Sequence, residues 1–424
     1  MNRLLLDIGA SSIKSAIQRN LEVDPQTLLT TESFSTKHGD SFNSDIIVSE
    51  FLSHVKKQHI DNFFDEIWIC SEMHNFTLLE ISNNEYSNFY SWRFSNLESI
   101  NNRKKIEQNH PHVIKKTGQS LYDGMPVLNF GDCLNKNSTY RILSLPELIV
   151  SKVGLPSNKI HDSMAASLGF FDIKQKTWLK EVLFSTYPKV EFHLPSIFED
   201  NEIPFLGSIS LNENEINIFG GFGDLQTALY GAEIQDDQIC INIGTGSQVI
   251  AICDEEYIPR NPIDMKPFFG KYIKTITHIP AGRSFNYLNK TVFKDPNFWT
   301  NLSLINAEIN NNITNQTFSL NIFETNWRYD SNNILFIRKL FKKDKNFYNL
   351  FLENFCLEYS LALSLLDNKL EYKKLLLSGG KLKNIPYITN FFNNLDTYTL
   401  VNSINTSKID ETIIGLDKLT KKYY

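Results

Sequence analysis

Two seven-residue stretches decide how this chain is read: Leu6-Asp7-Ile8-Gly9-Ala10-Ser11-Ser12 near its start and Ile241-Asn242-Ile243-Gly244-Thr245-Gly246-Ser247 past its middle. In each, an apolar run delivers Asp or Asn, then Ile and Gly, into a turn of small residues. A second apolar run follows, Ile13 to Ile17 in one copy and Val249 to Cys253 in the other. Two such runs across a tight glycine-containing turn predict a β-hairpin. The copies lie 235 residues apart, from Asp7 to Asn242, more than half of the 424-residue chain. Self-similarity at that separation predicts two like domains, each opening with its own hairpin. Leu194 through Pro204 is Pro-containing and acidic and reads as a connection. The boundary is therefore expected near 207–215, giving domains 1–214 and 215–424.

Length and composition agree. A chain of 424 residues exceeds what one core supports and suits two or three domains of roughly 150 residues. The hydrophobic content of 42% and charged content of 21% are those of a globular protein. The net charge of −6 argues against nucleic acid as a partner, because that binding depends on basic surface. The first apolar run, Leu4-Leu5-Leu6, is too short for a signal peptide. No stretch approaches the roughly 18 apolar residues of a membrane span, so a cytoplasmic location without a membrane partner is expected. Cys70, Cys133, Cys240, Cys253 and Cys356 are scattered and form no CxxC pair, so free thiols are expected. His110-Pro111-His112 has no further ligand nearby and reads as a solvated loop.

Helical and β-rich patterns alternate, which predicts an α/β architecture. Ile46, Ile47, Phe51, Leu52 and Val55 share one face of a helix over 45–59, and 66–70 reads as a buried strand. A strand over 215–219 opens the second half, 346–369 is a helix, and the Asn-rich stretch 301–333 reads as a surface excursion.

The turns carry chemistry. In the first, Gly9 allows close backbone approach, successive N–H groups form an anion-binding nest, and Ser11, Ser12 and Lys14 can donate to phosphate. Asp7, at the strand end, suits a hydrated magnesium ion. Gly244, Thr245, Gly246 and Ser247 repeat the logic. Both stretches also suit ordinary hairpin turns. Gly220-Gly221-Phe222-Gly223-Asp224 reads as strand, glycine-rich loop and helix start; Asp224 is either a helix cap or a general base. Leu375-Leu376-Leu377-Ser378-Gly379-Gly380 reads as a strand and a turn where a flat ring can lie on backbone.

This order of motifs resembles, over most of the chain, the FGGY carbohydrate kinases of the actin/hexokinase ATPase superfamily. Ile69-Cys70-Ser71-Glu72-Met73-His74 looks like the family's sugar-side segment, and Ile160-His161-Asp162-Ser163-Met164-Ala165-Ala166-Ser167 like its Asp-x-Ser-x-Ala segment, with Phe171-Asp172 and Trp178 following. Gly223-Asp224-Leu225-Gln226 and Met265-Lys266-Pro267-Phe268-Phe269 look most like sedoheptulokinases. The resemblance implies an α/β fold of two similar ribonuclease H-like domains with an interdomain active-site cleft, the actin-like ATPase fold. It implies ATP and Mg2+ as cofactors and a small-molecule sugar, a ketose such as sedoheptulose, as substrate; a homodimer is compatible with it. Asp224 would be the general base. Asp7, Gly9, Ser11, Ser12, Lys14, Gly244, Thr245, Gly246 and Ser247 would hold the phosphates, with Asp7 on the metal. Gly282, Gly379 and Gly380 would meet the adenosine, and Met73, His74, Trp92 and Asp224 the sugar. Three departures bear on the substrate: Ala10 stands where the family usually has Thr, Glu72 where it has Gln, and Trp92-Arg93-Phe94 where it has Trp-x-Asp. The chain is also shorter than most members. A catalytically weak sugar-binding relative and a regulatory or filament-forming nucleotide-binding protein are the alternative readings.

Overall fold

The computed structural model describes residues 1–135, 137–211, 213–244, 246–305, 345–379, 385–401 and 409–423. Its first sheet is built from β1 (Asn2–Ile8), β2 (Ser12–Arg19), β3 (Glu22–Glu32), β4 (Glu66–Ser71), β5 (Gly154–Pro156), β6 (Phe205–Leu211) and β7 (Asn214–Gly223), in the order β5-β6-β7-β4-β1-β2-β3. β1 is apolar on both faces because both are covered. Leu4, Leu6 and Ile8 enter one core with Ile47, Phe51 and Val55 of helix α1 (Ser44–Asp61). Leu5 enters another with Trp68 and Cys70. A strand buried on two sides reads as a continuous hydrophobic run rather than an alternating one.

The second sheet contains β8 (Gln238–Ile243), β9 (Ser247–Cys253), β10 (Asp264–Phe268), β11 (Lys271–Ile276), β12 (Lys374–Gly379) and β13 (Thr399–Val401), in the order β10-β11-β9-β8-β12-β13. The repeat seen in the sequence is a repeat of topology. In each sheet three antiparallel strands, β3-β2-β1 or β11-β9-β8, are followed by two parallel ones, β4 and β7 or β12 and β13. The β1–β2 and β8–β9 hairpins occupy the same place in each.

Two local expectations are corrected. The strand at the expected boundary does not open the second sheet. β7 hydrogen-bonds between β6 and β4, so the first sheet runs to Gly223, beyond Asn214. A tight hairpin ties β7 to β6, and Phe219 stacks on Trp68 at 5.2 Å. The glycines at 220–223 are also not a loop. They continue β7 through a register shift between Gly220 and Phe222, with Gly220 and Gly221 at φ 101° and 70°. A side chain at Gly220 would meet the Ile69 carbonyl at 2.4 Å, so glycine is what lets the strand stay paired there.

The strand turns directly into α2 (Asp224–Gly231), with Gly223 as its cap and Asp224 as its first residue. Helix α3 (Lys345–Leu366) carries Phe351, Phe355 and Tyr359 into the core beneath β8 and β9. The expected excursion is described only as far as Ile305, with a short helix at Phe298–Ser303; from 306 to 333 it lies outside the described residues. All five cysteines are free. Among the described residues no helix is long and apolar enough to cross a membrane.

The last helix, α4 (Glu411–Tyr423), returns to the first sheet, where Ile413, Leu416 and Leu419 cover Leu5, Trp68, Cys70 and Phe222. Gln18 anchors it through Nε2, 2.7 Å from Asp417 Oδ1 and 2.6 Å from Thr420 Oγ1. It also packs on α2 at backbone distance. A Cβ at Gly415 would lie 1.9 Å from the Thr227 carbonyl, and one at Gly231 2.0 Å from the Glu411 carbonyl. Both obstacles are backbone, so the helices themselves must part to admit a methyl. Gly415→Ala is expected to destabilise the protein by about 1–3 kcal/mol, the usual cost of overpacking. Denaturant unfolding measures it, and an unchanged midpoint would refute the tight crossing.

Candidate active site

The parallel strands β1, β4 and β7 end together: Ile8 and Gly223 both register with Ser71. Asp7, Glu72 and Asp224 are thereby gathered at one sheet edge. In open α/β sheets, ligands bind at the carboxyl ends of the strands.

Asp7 is buried and faces Lys14 across the hairpin, with Nζ 3.3 Å from Oδ2. Lys14 Nζ also lies 2.9 Å from Asp410 Oδ2. Thr412 Oγ1 sits 2.7 Å from both Asp7 Oδ2 and Asp410 Oδ1. Burial pushes the Asp7 carboxyl above its ordinary range despite Lys14. Burial would lower Lys14, but Asp7 and Asp410 outweigh it and hold the ammonium charged. Lys14 in turn keeps Asp410 below the usual carboxylate range against its burial. Asp410 and Thr412 were missed in the sequence, where their signal is only an acidic helix start. Glu411, between them, accepts the Gly379 N–H at 3.1 Å through Oε2. Three consecutive residues thus join the first hairpin to the end of β12.

On the other sheet, Gly244, Gly246, Ser247, Gly282 and Gly379 come together. Gly244 N–H bonds Gly246 O at 2.9 Å, just as Gly9 N–H bonds Ser12 O at 3.1 Å. Gly282 N–H donates to Gly244 O at 3.1 Å. Gly379, at φ 96°, registers with Ile243, and a Cβ there would meet the Asn242 side chain at 2.8 Å. The Ser247 hydroxyl is buried and donates to Asn242 O, so of this residue the turn offers backbone only. Thr245 and Gly380 lie outside the described residues. Ser11 and Ser12 stay at the surface of the first turn.

Asp224 is half-buried, and among the described residues its carboxylate bonds only the Leu225 N–H, 2.8 Å from Oδ1. Its position is set by the corner it stands on. Ser163 Oγ accepts the Gly223 N–H at 3.0 Å, and a Cβ at Gly223 would come within 2.7 Å of Met73 Sδ. Burial, then the nearby Asp7 charge, pushes the Asp224 carboxyl up to about 7. Glu72 is buried too. Its Oε1 accepts from Ser35 at 3.1 Å, while Oε2 has no partner among the described residues. Burial raises it to about 7 against the pull of Arg93.

His74 has φ 58° and donates from Nδ1 to Ser167 O at 2.8 Å, leaving Nε2 as an acceptor. Burial keeps the ring neutral. Its ring lies 5.5 Å from Tyr122, which lies 5.4 Å from His278, which lies 6.1 Å from Trp92. His74 and Trp92 are therefore joined through a chain of rings, and Met73 packs against the Gly223 corner that carries Asp224; Tyr122 and His278 are neighbours that the sequence did not reveal.

Among the described residues no three His, Cys, Asp or Glu side chains cluster as a metal site. Magnesium needs fewer, since it is normally held by one or two carboxylates plus phosphates and water. Asp7 and Asp410, two oxygen donors converging on Thr412, fit that pattern.

No family model matches the chain, and no curated protein matches it by sequence. Solved structures do match. A ligand-bound xylulose kinase from Lactobacillus acidophilus superposes with TM-score 0.73 at 16% identity, covering 100% of this chain and 90% of that one. A Plasmodium falciparum glycerol kinase with ADP gives 0.74 at 15%, covering 100% and 90%. A gluconate kinase from Lactobacillus acidophilus gives 0.72 at 16%, covering 99% and 89%. The chain has the two-domain actin-like ATPase fold. The α/β architecture expected from the repeated hairpins is the architecture present.

Asp224 and Glu72, both near 7 in the folded chain, would titrate near 4 unfolded. Between those values the folded state binds more protons, so their contribution to stability falls as pH rises from about 4 to about 7. Asp224→Asn is expected to raise the melting temperature by a few degrees at about pH 8 and hardly at all near pH 4.5. Thermal unfolding at both pH values checks this; an equal effect at both would remove the burial argument.

Proposed function

We propose that the protein is an ATP-dependent carbohydrate kinase that phosphorylates a primary hydroxyl of a ketose, with Asp224 as general base. Sedoheptulose is the first ketose to try, from the resemblance around Asp224 and Met265–Phe269. The observation that carries the reading is Asp224 itself: a carboxyl held near neutrality on a rigid strand-to-helix corner, one strand away from the Asp7–Lys14 hairpin. A base works best with its pKa near the working pH. The fold shared with xylulose, gluconate and glycerol kinases supports the same chemistry.

In this mechanism the sugar lies against Met73, His74 and Trp92 with its primary hydroxyl at Asp224. Asp224 takes the hydroxyl proton as the oxygen attacks the γ-phosphorus of ATP, and the bond to the β-phosphate oxygen breaks to release ADP. The backbone N–H groups of the two turns that are not bonded within them, with Lys14, would meet the phosphates; such preorganised donors are the main source of phosphoryl-transfer catalysis. Gly282, Gly379 and Gly380 form the adenosine side. Mg2+, held by Asp7 with Asp410 nearby, would neutralise phosphate charge. Closure of the two halves excludes water, the competing acceptor.

Asp224→Asn is expected to cut sugar-dependent ADP release by roughly 100- to 10,000-fold, the range for losing a general base, while ATP binding persists. Near wild-type turnover would overturn the assignment. In the wild type, kcat/KM should fall tenfold per pH unit well below about 7, where Asp224 is protonated.

A further inference from the structure

The short helix Asp162–Ser167 has no part in the mechanism above, yet it reaches both the corner beneath Asp224 and the His74 ring. Ser163 Oγ accepts the Gly223 N–H at 3.0 Å, and Ser167 O accepts from His74 Nδ1 at 2.8 Å. The first of these contacts has an ordered chain behind it. His161 caps the helix, its Nδ1 accepting the Ser163 N–H at 3.2 Å, so that nitrogen carries no hydrogen. The Ser163 hydroxyl lies 2.8 Å from the same nitrogen and gives its hydrogen there. Its oxygen lone pairs are thereby left to Gly223. With the hydrogen on Nδ1 instead, the Ser163 N–H would face another N–H and the cap would be lost. Burial keeps the His161 ring neutral against the pull of Asp162. Ser163 is fully buried, and the His161 ring stands edge-on, at 4.8 Å, to Phe222, the residue before Gly223.

We infer that Ser163 and His161 are positioning residues for Asp224: the hydroxyl, oriented by Nδ1, ties the backbone that carries the carboxylate to the first half of the molecule. The inference rests on the kinase reading, which makes Asp224 the base. Among the described residues the Asp224 carboxylate bonds only the next N–H, that of Leu225, so its direction is inherited from the backbone at 223–225. Three other contacts restrain that backbone. A Cβ at Gly223 would meet Met73 Sδ at 2.7 Å and Gln226 Oε1 at 2.5 Å, and Thr227 Oγ1 donates to the Gly223 carbonyl at 2.9 Å. Gln226 and Thr227 lie in α2 and move with it. Met73 is a pliable thioether that gives way. The Ser163 bond is directional and reaches the corner from outside α2. A base displaced by an ångström loses much of its effect, so a fixed corner is what the chemistry requires.

The test compares Ser163→Ala, His161→Phe and His161→Asn with the full-length wild type in sugar-dependent ADP release, and follows hydrogen exchange of the 219–226 backbone without ligands. Phe keeps a ring and removes the nitrogen. Asn places its Oδ1 where Nδ1 stands and caps a helix well. Ser163→Ala and His161→Phe should lower kcat roughly 10- to 100-fold, the scale of a misplaced catalytic group. KM for sugar and ATP should stay within about threefold, as when only a transition-state interaction is lost. His161→Asn should stay within about threefold of the wild type in kcat. In an Asp224→Asn background, Ser163→Ala should change the residual turnover less than about twofold, because groups acting as one unit do not add. Exchange at 219–226 should quicken in Ser163→Ala and His161→Phe and not in His161→Asn. An unchanged kcat in folded Ser163→Ala and His161→Phe, whatever their melting temperatures, overturns the inference, since the bond is then merely structural. A loss that persists in full without Asp224 overturns it too. His161→Asn as impaired as His161→Phe overturns the role of Nδ1. If Ser163→Ala does not fold, the two His161 variants decide. A wild type that releases no ADP with any ketose, alditol or aldonate overturns the kinase reading instead. Exchange alone then decides the tether: quickened exchange keeps it, and equal exchange in all four proteins overturns it.

Discussion

The contact on which the rest depends is the crossing of α2 and α4, two helices brought to backbone distance by Gly231 and Gly415. α2 begins with Asp224, and α4 begins beside Asp410 and Thr412. Because the crossing admits no side chain, the starts of the two helices are held in fixed relation. A carboxyl on one is thereby set against the Asp7–Lys14 hairpin, and a hydroxyl on the other touches Asp7 directly. The sheet edge supplies the positions, and the helix pair supplies the rigidity with which they are held.

Burial then sets the chemistry. Asp7, Glu72 and Asp224 crowd one edge, with Lys14 against Asp7, Arg93 drawing on Glu72 and Lys266 among the charges near Asp224. Like charges in a dry site favour protonation, which lifts Asp224 and Glu72 toward neutrality. Without a ligand, the arrangement is electrostatically strained. Perturbed titration in a cleft is a recognised mark of a functional site, and here it falls on groups that the strand ends bring together.

Much of this was legible in the sequence because it is local. A hairpin is announced by two apolar runs and a glycine turn, so β1-β2 and β8-β9 stand where the motifs put them. Asp224 was visible because a strand, glycines and a helix pattern meet there. What was not legible depends on pairing at a distance. β7 looks like the opening of a new domain, and only its hydrogen bonds to β4 and β6 assign it to the first sheet. Asp410, Glu411 and Thr412 look like any acidic helix start; their meaning comes from Asp7 and Gly379, which the fold brings to them.

The closing contacts also govern when the site can exist during folding. Asp7 and Thr412 are 405 positions apart, and Gln18 and Thr420 are 402 apart. The first hairpin is among the earliest segments made, yet its carboxylate gains its hydroxyl partner, and β1 its second apolar cover, only when α4 arrives. Contacts of such separation form late, because the loop entropy must be met before they give anything back. Until then Leu5, Trp68 and Cys70 present an uncovered apolar face. The step that hides that face is the same step that gives Asp7 its Thr412 partner, so a molecule exposing its core also lacks that contact.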